Sequence, residues 1–344
     1  MLSAMSRARL AWTILAALVA MPAALVLLVL ILGNTPPGQR ALAQLVTRLS
    51  GGEVQLEGLS GRFPDRLRAA HLALRDQAGT WVEIDHAALD WAPAALLRGR
   101  FAVTRLEAET VHLLRQPSPA VPAQPSAAAS TDVLPVTVTL GRLHVARLVL
   151  DPAVAGVAAS FSTDGAGHVE RLDLSGLSTR TRGAIRLVLT RLDQAGRYEL
   201  HATLSDAAVQ ARLQAEEPGG GLLGRAAGLP DLGPLSASLS ATGPRAALAL
   251  DLAFSAGPLR ATVRGNVDLT QAAGDLQIEA TAPAMAPRAD LSWRTIRLEA
   301  RVHGPFARPD AEARLRVEGL QSGGAGSSLA TFQLGGQGGA LRLD

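Results

Sequence analysis

Residues 259–270 read LRATVRGNVDLT, in which Leu259, Ala261, Val263, Gly265, Val267 and Leu269 alternate with Arg260, Thr262, Arg264, Asn266, Asp268 and Thr270. A period of two sustained this long specifies an extended strand with one apolar and one wet face, as in antiparallel sheets. Downstream the pattern returns in Leu276, Ile278 and Ala280, in Ile296, Leu298, Ala300 and Val302, and in Ala311, Ala313, Leu315 and Val317. Upstream it is carried by Leu248, Leu250, Leu252 and Phe254, and by Tyr198, Leu200, Ala202 and Leu204. Breaks such as Ser255-Ala256-Gly257-Pro258 and Ala272-Ala273-Gly274 separate these segments as hairpin turns would.

The fold class expected is therefore mostly β, a long antiparallel meander of roughly eighteen strands, about 85 Å long at ~4.8 Å per strand. A sheet that wide with one apolar face must close as a barrel, fold as a sandwich or curl into a trough. The alternation alone favours a closed core. Helical periods are scarce, with short candidates at 93–97 and 222–227. From Gln116 to Thr131 (QPSPAVPAQPSAAAST) the chain carries four prolines and no charge. That composition reads as a disordered loop interrupting the strands.

The N-terminal end is of another kind. Leu10 to Leu32 runs 23 residues without a charge, behind Arg7 and Arg9. At about 1.5 Å per residue it reaches ~35 Å, enough to span a bilayer with some tilt. The run exceeds the roughly 7–15 apolar residues of a cleaved signal, so an uncleaved anchor is expected. Arg7 and Arg9 would stay cytoplasmic by the positive-inside rule, placing the bulk of the chain outside the cytoplasm. Next, Asn34-Thr35-Pro36-Pro37 supplies a cap and a first-turn proline. Leu42, Leu45, Val46 and Leu49 then fall on one helical face before Ser50-Gly51-Gly52 stops it. This short amphipathic helix is expected to cap the β structure; lying on a membrane surface is the other reading.

The 344 residues are 48% hydrophobic, 18% charged and 3% aromatic, with no cysteine, which excludes disulfide and thiolate chemistry. The basic residues are all arginine, scattered among 30 acids for a net +3, without the basic face of a nucleic-acid binder. The seven histidines are far apart and none has a two-histidine metal spacing. Gly219-Gly220-Gly221-Leu222-Leu223-Gly224 matches a dinucleotide fingerprint formally, but no βαβ unit surrounds it, so it reads as a turn. Gly58-Leu59-Ser60-Gly61 lacks the spacing of a nucleophile elbow. Carboxylates such as Asp85 and Asp90, or Glu107 and Glu109, specify no site. No enzyme activity, cofactor, metal or nucleic-acid partner is expected.

Three segments carry a family resemblance: Gly33 to Arg40 after the anchor, Leu56-Glu57-Gly58-Leu59-Ser60-Gly61-Arg62-Phe63-Pro64-Asp65-Arg66-Leu67-Arg68, and Ala87-Ala88-Leu89-Asp90-Trp91-Ala92-Pro93 leading into Leu96-Leu97-Arg98-Gly99-Arg100. Over about residues 10–115 the chain resembles the start of the TamB family, translocation and assembly module subunits of the AsmA-like superfamily. His303 to Leu320 is the most family-like stretch beyond. The resemblance implies a single-pass inner-membrane protein with a periplasmic, elongated, taco-like β-groove that carries phospholipid between inner and outer membrane and supports outer-membrane biogenesis. It also implies an alternative, a scaffold acting with the outer-membrane barrel TamA in autotransporter and outer-membrane protein assembly and secretion. Family members are several times longer, and their TamA-docking domain has no counterpart in these residues. The final strand, near Leu341, is accordingly expected to meet a partner or to continue in a longer parent.

On that basis the chain divides into a cytoplasmic stub and anchor (1–33), the cap helix (34–52), a first groove segment (53–115), the Pro/Ala/Ser-rich loop (116–134) and a second groove segment (135–344). The groove lining is expected to comprise Leu200, Leu250, Leu252, Val263, Val267, Leu276, Ile278, Ile296, Leu298, Leu315 and Val317. These would offer nonspecific apolar contact rather than chemistry.

Overall fold

The computed structural model describes residues 31–118, 133–134, 137–173, 181–226, 231–288, 291–322, 325–337 and 340–343. The bulk of the apolar run, Arg7 and Arg9, and most of the Pro-rich loop lie outside the described residues. Among those described, no helix is long and apolar enough to cross a membrane.

The first element is helix α1 (Pro36–Leu49). Thr35 caps it, its hydroxyl accepting from the Gly38 amide at 3.3 Å, while Pro36 occupies the first turn. The Asn34 side chain instead ties the helix entry to the sheet. Its Nδ2 donates to the Phe63 carbonyl at 2.8 Å, and its Oδ1 accepts from the Phe63 amide at 2.9 Å. Strands follow in the order β1 (Val54–Glu57), β2 (Ser60–Arg62), β3 (Arg66–Asp76), β4 (Gly79–Ala92) and, after a 3-10 turn at Pro93–Arg98, β5 (Arg100–Leu113). Beyond the loop come β6 (Val133–Leu134), β7 (Thr137–Leu150), helix α2 (Pro152–Ala155), β8 (Ala159–Asp173), β9 (Arg182–Arg191), β10 (Arg197–Leu204), β11 (Val209–Glu217) and helix α3 (Leu222–Ala226). The chain continues through β12 (Leu235–Gly243), β13 (Leu248–Ala256), β14 (Leu259–Asp268), β15 (Ala273–Ala282), β16 (Met285–Arg288), β17 (Leu291–Trp293), β18 (Thr295–Pro305), β19 (Asp310–Ser322), β20 (Ala325–Gln337) and β21 (Ala340–Leu343).

These strands form one long open sheet in which each strand pairs mainly with its predecessor. β1 and β2 share β3 as neighbour, and β16–β17 is a side hairpin around which β15 reaches β18 directly. Among the described residues pairing is antiparallel with one exception: β5 and β7 run parallel, from Arg100 opposite Thr137 to Leu113 opposite Leu150. A parallel pair needs a crossover of a dozen or more residues. Residues 114–136, which include β6, separate the two strands and are long enough for one.

Period slips explain why alternation is clean only in the second half. In β5 the apolar positions are Phe101 and Val103, then Leu106 and Ala108, then Val111 and Leu113; in β7 they are Val138 and Leu140, then Leu143 and Val145, then Leu148 and Leu150. Each of the first set lies opposite its counterpart in the second. Against β8, which alternates steadily from Ala159 to Val169, the register of β7 shifts between Leu140 and Leu143 and again between Val145 and Leu148. Each shift is a bulge that returns the next apolar pair to the same face.

The closed core favoured by the alternation is not what forms. Among the described residues no side chain is fully enclosed, and strand contacts follow sheet adjacency. From β9 to β20 the apolar face is buried only along its two margins. Val209, Ala241, Leu248 and Val267 cluster at one, and Ala215, Leu235, Ala256 and Ala282 lie at the other. The midline between them stays half exposed, which a second packed layer would not allow.

Candidate functional site

The register aligns that midline into a continuous row. Leu187 of β9 lies opposite Leu200, Leu200 opposite Leu213, Leu213 opposite Leu239, and Leu239 opposite Leu252. Leu252 then faces Val263, Val263 faces Ile278, Ile278 faces Ala300, Ala300 faces Ala313, and Ala313 faces Leu334. Directly opposed residues share a face of the sheet, so ten strands present aliphatic side chains in one line. At ~4.8 Å per strand the line is about 43 Å long. It extends toward the N-terminus through Gly165, Leu143, Leu106, Leu89 and Leu67. The row runs perpendicular to the strands, so it depends on every register being held.

All eleven residues read from the sequence as groove lining fall on this face. Leu200, Leu250, Leu252, Val263, Leu276, Ile278, Ile296, Leu298 and Leu315 are half-buried, and Val267 and Val317 are buried nearer the margins. Gly265 stands in the same face between Leu250 and Leu276, with φ +156, and a Cβ there would meet the Asp275 carbonyl at 1.9 Å. Only glycine permits that approach. The opposite face is wet: Arg264 Nε lies 3.2 Å from Asp251 Oδ2, and Arg260, Thr262, Gln277 and Glu279 alternate with the apolar set.

One polar cluster interrupts the apolar face, at the margin where β8, β9, β10 and β11 meet the short helices α2 and α3. Arg191, Tyr198 and Glu217 occupy in-phase apolar positions, after Leu189, before Leu200 and after Ala215. The Arg191 guanidinium sits 5.4 Å from the centroid of the Phe161 ring and donates from Nε to Asp193 at 2.9 Å. Asp193 holds the Arg191 pKa above its ordinary value, and Arg191 holds that of Asp193 below. Glu217, 4% exposed, accepts from the Tyr198 hydroxyl at 2.7 Å and from the Gly224 amide at 2.9 Å. Burial, followed by the Glu217 carboxylate, pushes the Tyr198 phenol up to about 12. Sequence reasoning counted Tyr198 only among the alternating apolar positions and passed over Arg191 and Glu217, although charge at an in-phase apolar position was a legible signal. The glycine-rich segment 219–224 is the connection that carries α3 between antiparallel β11 and β12.

Beside this cluster the Thr163 hydroxyl is buried on the apolar face without a hydrogen-bond partner. An unsatisfied buried hydroxyl costs roughly 1–3 kcal/mol. Thr163→Val, nearly isosteric, is therefore expected to raise stability by about 1 kcal/mol in denaturant unfolding; a loss of stability would mean that the hydroxyl has a partner.

The histidines lie at strand positions, and several of them find carboxylates. His71 Nδ1 lies 2.8 Å from Asp85 Oδ1, His112 Nε2 2.8 Å from Asp151 Oδ1, and His144 Nδ1 2.8 Å from Asp164 Oδ1. Among the described residues no three His, Asp or Glu side chains converge as metal ligands. Asp85 raises the His71 pKa above 6.5, with Glu83 and Glu57 adding to it. A raised folded pKa stabilises most below the unfolded value, and the contribution is lost as pH rises through the folded pKa. His71→Gln is thus expected to lower the melting stability at pH 6 and to be neutral near pH 8.5. For a half-exposed pair the difference is on the order of 0.5 kcal/mol. Equal loss at both pH values would remove the ion-pair account.

The chain matches no protein-family model, no curated protein and no solved structure.

Proposed function

We propose that the protein is an inner-membrane-anchored, periplasmic phospholipid carrier in which acyl chains lie along the apolar row of the open sheet. The single observation that carries this reading is the row itself: ten strands adjacent in the sheet and in register, aliphatic at every step, half exposed, with no second layer over them among the described residues. Transferring a sixteen-carbon tail out of a membrane costs about 13 kcal/mol at ~0.8 kcal/mol per methylene, so a carrier needs continuous apolar contact to offset it. A long aliphatic strip without a closed core supplies that contact without selecting a headgroup. The curl of this strip into a groove, the anchor formed by the apolar run at 10–32 and the resemblance to TamB-family segments belong to the same proposal.

A photoreactive phenylalanine analogue at Leu239, on the midline, provides the test. Irradiation of membranes containing the full chain is expected to yield a crosslink to phospholipid, and the same analogue at Ser240, on the wet face, is not. Equal labelling at both positions, or none at Leu239, would reject the carrier.

A second reading rests on a different observation. The register of β20 with β21 covers only Leu334 to Gln337, and on its outer side the stretch from Gly326 to Gln333 has no sheet neighbour among the described residues. An unpaired edge can accept an added strand, as a scaffold for assembling β proteins would require. That role would give protein crosslinks from Leu329 and no lipid from Leu239.

A further inference from the structure

Helix α1 does not centre its apolar stripe on the sheet: Leu42 is partly buried, but the rest of the stripe is turned away. An amphipathic helix normally turns its apolar stripe to the core. Here the buried residue is Ala43, with Gln39 and Thr47 partly buried beside it, and Gln39 Nε2 donates to the Gly61 carbonyl at 3.2 Å. The rest of the stripe is left outside: Leu45 is 50% exposed, Val46 40% and Leu49 79%. Of the four apolar residues on that helical face, Leu42 alone is partly buried.

Where this helix begins limits what can cover the stripe. The uncharged run ends at Leu32, and only Gly33, Asn34 and Thr35 separate it from Pro36. Three residues reach at most about 10 Å, and Asn34 and Thr35 are held by the Phe63 backbone and the helix cap. If the run crosses the bilayer, α1 must start at the membrane surface. Ile31 and Leu32, at the emerging end, are themselves about half exposed. Arg40 and Arg48 stand on the side of the helix that lines the cleft to Leu56 and Leu59, and neither falls in the leucine stripe. Apolar and cationic side chains on one helix suit the boundary of an anionic bilayer.

We infer that α1 lies in the headgroup layer of the same membrane, with Leu45, Val46 and Leu49 immersed and Arg40 and Arg48 on the side turned away from the acyl chains. This rests on the anchored reading above and deepens it. The cleft of about 610 Å³ between α1 and the β1–β2 edge would then open at the membrane surface, beside the first strands of the apolar face.

The absence of cysteine makes the test direct. Leu49→Cys, Ala17→Cys and Thr262→Cys variants of the full chain, each labelled with an environment-sensitive fluorophore, are reconstituted in phosphatidylethanolamine–phosphatidylglycerol vesicles containing doxyl-labelled acyl chains. The expected result is strong quenching at Leu49 at a depth of about 5–10 Å, deeper quenching at Ala17 and none at Thr262. Quenching at Ala17 with Leu49 as unquenched as Thr262 would overturn the inference and leave the anchor standing. An unquenched Ala17 would remove the anchor, and the inference with it.

Discussion

The paired substitution Val263→Asp with Ile278→Asp is expected to reduce phospholipid crosslinking from Leu239 at least about tenfold, a change equivalent to 1.4 kcal/mol. The two residues are direct cross-strand neighbours on the midline, between Leu252 and Ala300. Each aspartate removes contact worth about 0.8 kcal/mol per methylene and sets a carboxylate beside an acyl chain, where desolvation adds several kcal/mol. The same charges are tolerable in the empty protein because both positions are half exposed and their carboxylates can reach water. Stability is therefore expected to fall by only about 1–2 kcal/mol in denaturant unfolding. Collapse of the whole sheet would indicate that the face is covered. Unchanged lipid labelling in a folded variant would show that the row is not the route.

Glu217→Ala is expected to have the largest effect on stability of any single polar substitution considered. It strands the Tyr198 hydroxyl and the Gly224 amide, each at roughly 1–3 kcal/mol, and opens a void beneath α3. A loss of about 3–4 kcal/mol is expected, against about 1 kcal/mol for Glu217→Gln, which keeps an acceptor oxygen. Strand contacts follow sheet adjacency, so the damage should stay local, as in repeat proteins. Amide exchange should accelerate at Gly224 and across β10–β12 and remain unchanged in β18–β19. Equal effects of the alanine and glutamine variants would show that the two hydrogen bonds are not what holds this margin.

Local alternation was enough to assign β10, β13, β14, β15, β18 and β19 and to place the eleven residues named from it on one face, but β11, β12 and β20, which complete the row, were not assigned. The side-chain period in a strand is two whatever the strand packs against. The short helical candidates proved to be the 3-10 turn at Pro93–Arg98 and helix α3. The cap signal at Asn34–Pro37 marked the start of α1, with Thr35 as the capping residue and Asn34 as the tie to Phe63. The slips in β5 and β7 were present in the residues but had no meaning without the pairing of β7 with β8, whose alternation from Ala159 to Val169 identifies those in β7 as bulges. The in-phase charges Arg191 and Glu217 were likewise visible, yet their partners lie on other strands.

The sequence by itself determined that this is a mostly β chain with one aliphatic face, and that its apolar N-terminal run and capped helix stand apart from the strands. Those properties follow from period, capping chemistry and composition, each set by residues close in the chain. Only the tertiary structure decided that the face stays open rather than closing on itself, that β5 and β7 run parallel, and that α1 turns Ala43 rather than most of its apolar stripe to the sheet. An alternating strand contributes the same apolar side chains to a sandwich or to an open trough. What separates the two is whether another layer covers that face, and its presence depends on residues distant in the chain.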